Sequence, residues 1–346
     1  MKSSSEAQSA RGERKDRWSV RALPGLPQLA TLALILLIDL ANSPQFFNLS
    51  IQDGRLFGSV IDVFYRGAPI AILAIGMTPV IATGGIDLSV GAVIAIVGAV
   101  AASLAQTELA GGQIIALSLL AGLACGLWNG LLVARLGIQP FVATLILMVS
   151  GRGMAQMITE GKILTFTNPA LDFISRSAFL AVPTPIVATA AALFAGWLLY
   201  RRSALGMFVE ATGINRVASS NVGVKTGAVL TAAYLWCGLC AAMAGLVIVS
   251  DIRGADANNA GLWLEMDAIL AVVIGGTSLL GGRFRLGLSV VGALIIQAMN
   301  TGILVSGFKP ELNYIVKAVV VLLVLCAQSP ALRQRMTEAR QRRISP

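Results

Sequence analysis

The chain has 346 residues, 56% hydrophobic and only 12% charged, with a formal net charge of +9. A soluble domain carries about twice that charged fraction, so the composition excludes a soluble globular protein and points to an all-α polytopic membrane protein. Histidine is absent altogether, which excludes histidine acid–base catalysis and histidine metal ligation.

Residues 1–25 form a polar, basic tail with Lys2, Arg11, Arg14, Lys15, Arg17 and Arg21. The first apolar run, Leu26 to Ala41, reads as an uncleaved span. Further spans follow it, and Asp39 stands where a signal peptide would carry a small-residue cleavage site. Asn42 to Arg66 mixes Phe, Asp and Gly and suits an amphipathic segment lying at the interface. From Ile75 to Ala95 two spans meet in a tight hairpin at Gly84-Gly85, with one acid, Asp87. Pro79 has no N–H for the carbonyl of Ile75, so that acceptor needs a partner from another helix or from water. The interruption points to a translocation path. Alternatively, Gly84-Gly85 makes the turn, and Asp87 or Ser89 caps the next helix.

The fourth span, Ile114 to Ala134, carries Gly122, Gly126 and Gly130 at four-residue spacing, a small-residue stripe expected to be a packing face. A short turn at Arg135–Pro140 leads to the fifth span, which ends near Glu160. Residues 160–183 are a polar loop, and the sixth span ends at Tyr200. The longest internal polar segment, Arg201 to Thr226, precedes the seventh span, Gly227 to Val249. Within that span Cys237 and Cys240 have CxxC spacing, but with no second pair they read as two small residues on a buried helix. Asp251 to Glu265 is a polar loop. The eighth span reaches about Leu280, the ninth follows the turn at Gly281–Arg285, and the tenth runs from Leu312 to Gln328. Residues 329–346 form a second basic tail, so the apolar membrane domain is 26–328.

Ten spans put both ends on one side. Of the 26 basic residues, 18 fall on that side and 6 on the other, with Arg152 and Lys317 inside spans. The positive-inside rule then places both termini in the cytoplasm. Topology thus accounts for the basic excess, and nucleic acid is not an expected partner. Polar residues inside spans are costly. Arg152 and Gln156 share one face of the fifth span, and Gln297, Asn300 and Thr301 share one face of the ninth. With Asn129 and Asp87, these are candidates for a polar route for a hydroxylated solute, the alternative being hydrogen bonds that only join helices. Asp39 and Lys317 lie near span ends and are expected to snorkel toward headgroups.

G84-G-I-D-L-S-V-G91, I138-Q-P-F-V-A-T-L-I-L-M-V-S-G-R-G153, D251-I-R-G-A-D-A-N-N-A-G-L-W-L-E265 and I274-G-G-T-S-L-L-G-G-R-F284 resemble the permease subunits of bacterial sugar ABC importers of the ribose, xylose and galactoside type. The 251–265 wording is most similar to the galactofuranose branch. The resemblance covers nearly the whole chain between the tails. One departure is Pro79, where that group leads one to expect an aliphatic residue. The resemblance implies an inner-membrane subunit that imports a pentose or hexose, galactofuranose first. It implies two ATP-binding subunits, a second permease chain of different sequence and a periplasmic sugar-binding protein as partners, besides membrane lipid. No cofactor or metal is expected, and no catalytic residue. The chain itself has no G-x-x-x-x-G-K-[ST] phosphate loop, so energy comes from another chain or, in the rival reading of a secondary transporter, from an ion gradient. By the same resemblance Met207 to Val224 is the segment that docks on an ATPase. Phe208 to Ala218 is expected to be one short helix there, with Gly213 and Gly223 turning the chain at its ends. Glu210, Asn215 and Arg216 are the coupling candidates. Asp251, Arg253, Asp256, Asn258 and Asn259 are the candidates for docking the binding protein.

Overall fold

Pro79 lies inside a 24-residue helix, α2 (Ser59–Ala82), and the carbonyl it leaves free at Ile75 accepts a 3.3 Å hydrogen bond from the indole N–H of Trp236. Trp236 belongs to α10 (Thr226–Ile252), the longest helix described. The two helices pack against each other along the centre of the protein. A proline is tolerated mid-helix when a neighbouring helix re-satisfies the freed backbone group, and here the neighbour is the helix that α2 must pack on anyway.

This computed structural model describes residues 25–43, 46–52, 54–307, 309 and 311–328. Around the central pair stand α1 (Leu26–Asn42), α3 (Val90–Leu104), α4 (Gly111–Ala134) and α5 (Pro140–Ile158). The second half of the chain adds α7 (Thr184–Arg201), α11 (Leu264–Ile274), α12 (Leu286–Val305) and α13 (Leu312–Gln328). Three short helices lie outside these: α6 (Pro169–Arg176), α8 (Leu205–Ile214) and α9 (Arg216–Asn221). Small antiparallel pairs decorate the connections: β1 (Ser50–Gln52) with β2 (Arg55–Phe57), β3 (Leu164–Thr165) with β6 (Gly254–Ala255), and β4 (Ala178–Phe179) with β5 (Val182–Pro183). By length and composition, six of the described helices, α2, α4, α5, α7, α10 and α12, can cross a membrane.

The helices pack in pairs. α4 lies on α10 as α12 lies on α2, and α3 touches α10 as α11 touches α2. The expected small-residue face is used in this packing. A Cβ at Gly122 would come within 2.5 Å of the Ala242 Cβ, and one at Gly126 within 2.5 Å of the Tyr234 carbonyl oxygen. Without these glycines α4 and α10 stand farther apart. Cys237 and Cys240 are buried on α10, where Gly76 of α2 comes up against them.

Four expectations are corrected. Residues 42–66 are not a single segment, because β1 and β2 make a hairpin there and α2 already begins at Ser59. The eighth apolar block is helical only from Leu264 to Ile274, since Gly275 and Gly276 (φ 89°) end it and an irregular loop continues to Arg285. Asp39 does not snorkel: it is 5% exposed and lies against Gly302 of α12. Lys317 does not snorkel either, because its ammonium pairs with both carboxylate oxygens of Asp267 at 2.8 and 2.9 Å.

Candidate functional site

Three distant pieces of chain converge where α2 ends. The Ala82 carbonyl accepts a 2.8 Å hydrogen bond from the Gly282 N–H. A Cβ on Gly281 would sit 3.0 Å from the Gly84 nitrogen. The third piece is α8, whose Gly213 presses on the same Ala82 carbonyl and would bring a Cβ 2.7 Å from the Gly282 nitrogen. The two glycine-rich breaks and the α8 helix thus touch backbone to backbone. Gly213 is helical and does not turn the chain, contrary to the expectation from sequence. The single expected helix is two, because Asn215 is extended (φ −156°) and its side-chain oxygen caps α9 by accepting from the Ala218 N–H at 2.9 Å. Gly223, at φ 92°, does make the turn after α9. Arg216 is exposed and Glu210 half-buried, and neither has an ion pair among the described residues.

Beside this junction is an exposed apolar patch. Ile214, Val217 and Val222 of the α8–α9 segment are 72, 70 and 81% exposed, and Leu280 of the α11–α12 loop is 90% exposed. Ile214 lies alongside Gly282, so the loop and the helix are neighbours. Exposed Arg216 lies within the segment and exposed Lys225 follows it. The missed signal was the Leu279-Leu280 pair, an apolar couple inside a glycine-bounded turn.

Under the Gly84-Gly85 break lies a buried polar cluster. Asp87, 2% exposed, accepts from the Ser89 N–H at 2.9 Å and the Ser89 hydroxyl at 2.6 Å. Asn129 of α4 donates its amide to Ser89 Oγ at 2.8 Å and to Asp87 at 3.4 Å. Two of the polar-route candidates therefore meet, and they tie α4 to the start of α3.

At the other end of the helices, α5 grips the 253–263 loop. The Arg152 guanidinium donates to the carbonyls of Ala260 (2.6 Å) and Ala257 (3.1 Å), and the Gln156 amide donates to Asn258 Oδ1 at 2.6 Å. Within the loop Asp256 accepts from the backbone N–H groups of Asn258 and Asn259 and from the Asn259 amide. The Asn259 amide leads in holding its carboxyl below the ordinary aspartate range, and the two backbone N–H groups and Arg152 add to it. Arg253 makes a two-pronged ion pair with Asp172 of α6 at 2.9 and 2.7 Å. With the β3–β6 pairing, this joins the 160–183 and 253–263 loops into one surface. Asp251 accepts from the Tyr65 hydroxyl.

The polar face of α12 opens on a cavity of about 290 Å³ between α2, α10, α11 and α12. Gln297 and Asn300 line it, while Thr301 is buried behind and accepts from the Gln297 amide at 3.3 Å.

A family model described as branched-chain amino acid transport system / permease component matches residues 59–325. The chain belongs to this permease family. It is 59% identical over 92% of both chains to the galactofuranose transporter permease of Escherichia coli K12. It is 40% identical to the fructose import permease of Bifidobacterium longum, over 84% of this chain and 83% of that one. To the ribose import permease of E. coli K12 it is 36% identical, over 87% of this chain and 92% of the relative. No solved structure matches this permease.

Proposed function

We propose that this permease is the membrane-spanning subunit of an ATP-binding-cassette importer for a neutral sugar, galactofuranose first, working with two ATPase subunits, a second permease chain and a periplasmic binding protein. The observation that carries the reading is the exposed apolar patch of Ile214, Val217, Val222 and Leu280, held rigidly against the two glycine breaks at the membrane domain's core. Contiguous exposed apolar side chains outside lipid mark a protein contact, and a chain with no phosphate loop of its own needs an ATPase there. The 59% identity to a galactofuranose permease supports the choice of sugar, and the low-charge interior suits a neutral solute.

In this reading the chain crosses the inner membrane ten times, α11 and the loop that follows it to Arg285 together making the eighth crossing, with both basic tails, 1–25 and 329–346, in the cytoplasm. The α8–α9 end is cytoplasmic and couples to the ATPase, with Glu210, Gly213, Asn215, Arg216 and Gly223 in its framework. The loop end is periplasmic, where Asp251, Arg253, Asp256, Asn258 and Asn259 shape the docking surface for the binding protein. Arg152 and Gln156 hold that surface in place, and Asp87 and Asn129 brace the pathway wall. Galactofuranose uptake by proteoliposomes holding the full complex tests the reading. Uptake that requires ATP and the loaded binding protein is expected. Uptake driven by an ion gradient without ATP overturns it in favour of a secondary transporter. Topology is checked by reporter fusions, expected periplasmic at Asp172 and Ala257 and cytoplasmic at Asn215; a cytoplasmic signal at Ala257 overturns the ten-span map.

A further inference from the structure

The cavity between α2, α10, α11 and α12 has its exposed rim at Arg66 and Asp251 and its buried floor at Ile70 and Gln297. It belongs to one chain, in which α2 packs on α10, α11 and α12, and α11 packs on α12, and it opens at the end of the helices that carries Asp251. At about 290 Å³ it is at the small end of ligand pockets, which run from about 300 to 1,000 Å³. That is room for one small molecule.

Its chemistry is mixed in a particular way. The Asn300 side-chain oxygen is buried and has no hydrogen-bond partner among the described residues. A buried acceptor without a donor is costly and calls for a donor from elsewhere. Arg66 makes no ion pair among the described residues. The two acids facing the cavity are already engaged, Asp251 by the Tyr65 hydroxyl and Asp267 by the Lys317 ammonium. The remaining wall is apolar, from Ile70, Ile248 and Leu264. A ligand for this space presents hydroxyl donors and acceptors on one side and C–H surface on the other, and carries no net charge of its own.

We propose that this cavity is a binding station for a single neutral monosaccharide inside one permease subunit, with Asn300 and Gln297 contacting the sugar hydroxyls. The inference rests on the sugar-importer reading and deepens it. The polar face of α12 is then more than a helix contact, and the permease, not the binding protein alone, discriminates among sugars.

The test uses the complete complex in proteoliposomes. Asn300→Cys is expected to react with a methanethiosulfonate reagent above the background of the parent chain, whose described native cysteines are buried. Galactofuranose at ten times its dissociation constant is expected to slow that labelling by about tenfold, and leucine at the same concentration is not. Asn300→Leu is expected to lower sugar moved per ATP hydrolysed by about tenfold, the scale of one lost hydrogen bond, with Asn300→Gln recovering most of it. Labelling that no sugar slows, in a complex that transports galactofuranose, overturns the binding station and leaves the importer reading standing. A wild-type complex that transports leucine and no sugar overturns both.

Discussion

Gly213→Ala adds one methyl group to α8 at a place where nothing can give. The new Cβ collides with the Ala82 carbonyl and lies 2.7 Å from the Gly282 nitrogen. Both are backbone atoms, so no side chain can swing aside. Overpacking of this kind costs about 1–3 kcal/mol. Pushing the segments apart also threatens the Ala82–Gly282 hydrogen bond of 2.8 Å, about 0.5–1.5 kcal/mol more. Against this, alanine is about 0.5–1 kcal/mol better than glycine inside a helix, so the net loss is about 1–3 kcal/mol. The effect comes from inside the permease, before any ATPase is present. The assay is thermal unfolding of the purified permease, followed by ATPase stimulation by loaded binding protein in the reconstituted complex. Gly153→Ala is the control: it lies in α5 with no atom within 4 Å of the added Cβ, and it should be neutral or stabilising by the same propensity term. If Gly213→Ala unfolds at the wild-type temperature and keeps full stimulation, the backbone junction does not connect α8 to the membrane core.

Trp236→Phe removes the donor to the Ile75 carbonyl and should cost about 1 kcal/mol; in a Pro79→Leu background, where residue 79 regains an N–H for that carbonyl, the cost should largely vanish in a double-mutant cycle of unfolding free energies. The pair Ile214→Asp and Val217→Asp places charge on the exposed patch. It should leave the isolated permease folded and weaken co-purification of the ATPase severely, since burying each aliphatic side chain is worth about 1.5–3 kcal/mol. For Asp256 the folded carboxyl titrates below its unfolded value. Its stabilisation of the 256–260 turn is therefore complete above the ordinary aspartate range and is lost as pH falls through the depressed value. Hydrogen exchange at the Asn258 and Asn259 amides should follow that course, and Asp256→Asn should remove the pH dependence.

Most of the fold was legible because apolar blocks in a membrane protein are long and sharply bounded. The Gly122–Gly126–Gly130 stripe was read as a packing face and is one, and the vacancy at Ile75 called for the donor that Trp236 supplies. What was missed was punctuation inside apolar runs. The block after Glu265 reads as continuous to about Leu280, yet the adjacent Gly275 and Gly276 stop the helix after Ile274, a C-terminal signal masked by the leucines that follow. Asn215 is a favoured N-cap residue and splits the 208–218 segment, but a modest helical pattern ran across it. The site was harder to read. Which polar residues meet depends on the packing of distant helices. Spacing along α5 put Arg152 and Gln156 on one face without revealing that the face holds the carbonyls of a loop about a hundred residues away.

The junction at Ala82 has a mechanical consequence. Side chains in a contact act as springs, because rotamer changes absorb small displacements before the backbone on the far side moves. Here the carbonyl of Ala82, the nitrogen of Gly282 and the α-carbon of Gly213 leave no side chain between them. A push on α8 is delivered to the end of α2 and to the loop before α12 at nearly its full amplitude. It is a linkage without backlash, in which a sub-ångström movement of α8 is not lost before it reaches α2 and the loop before α12.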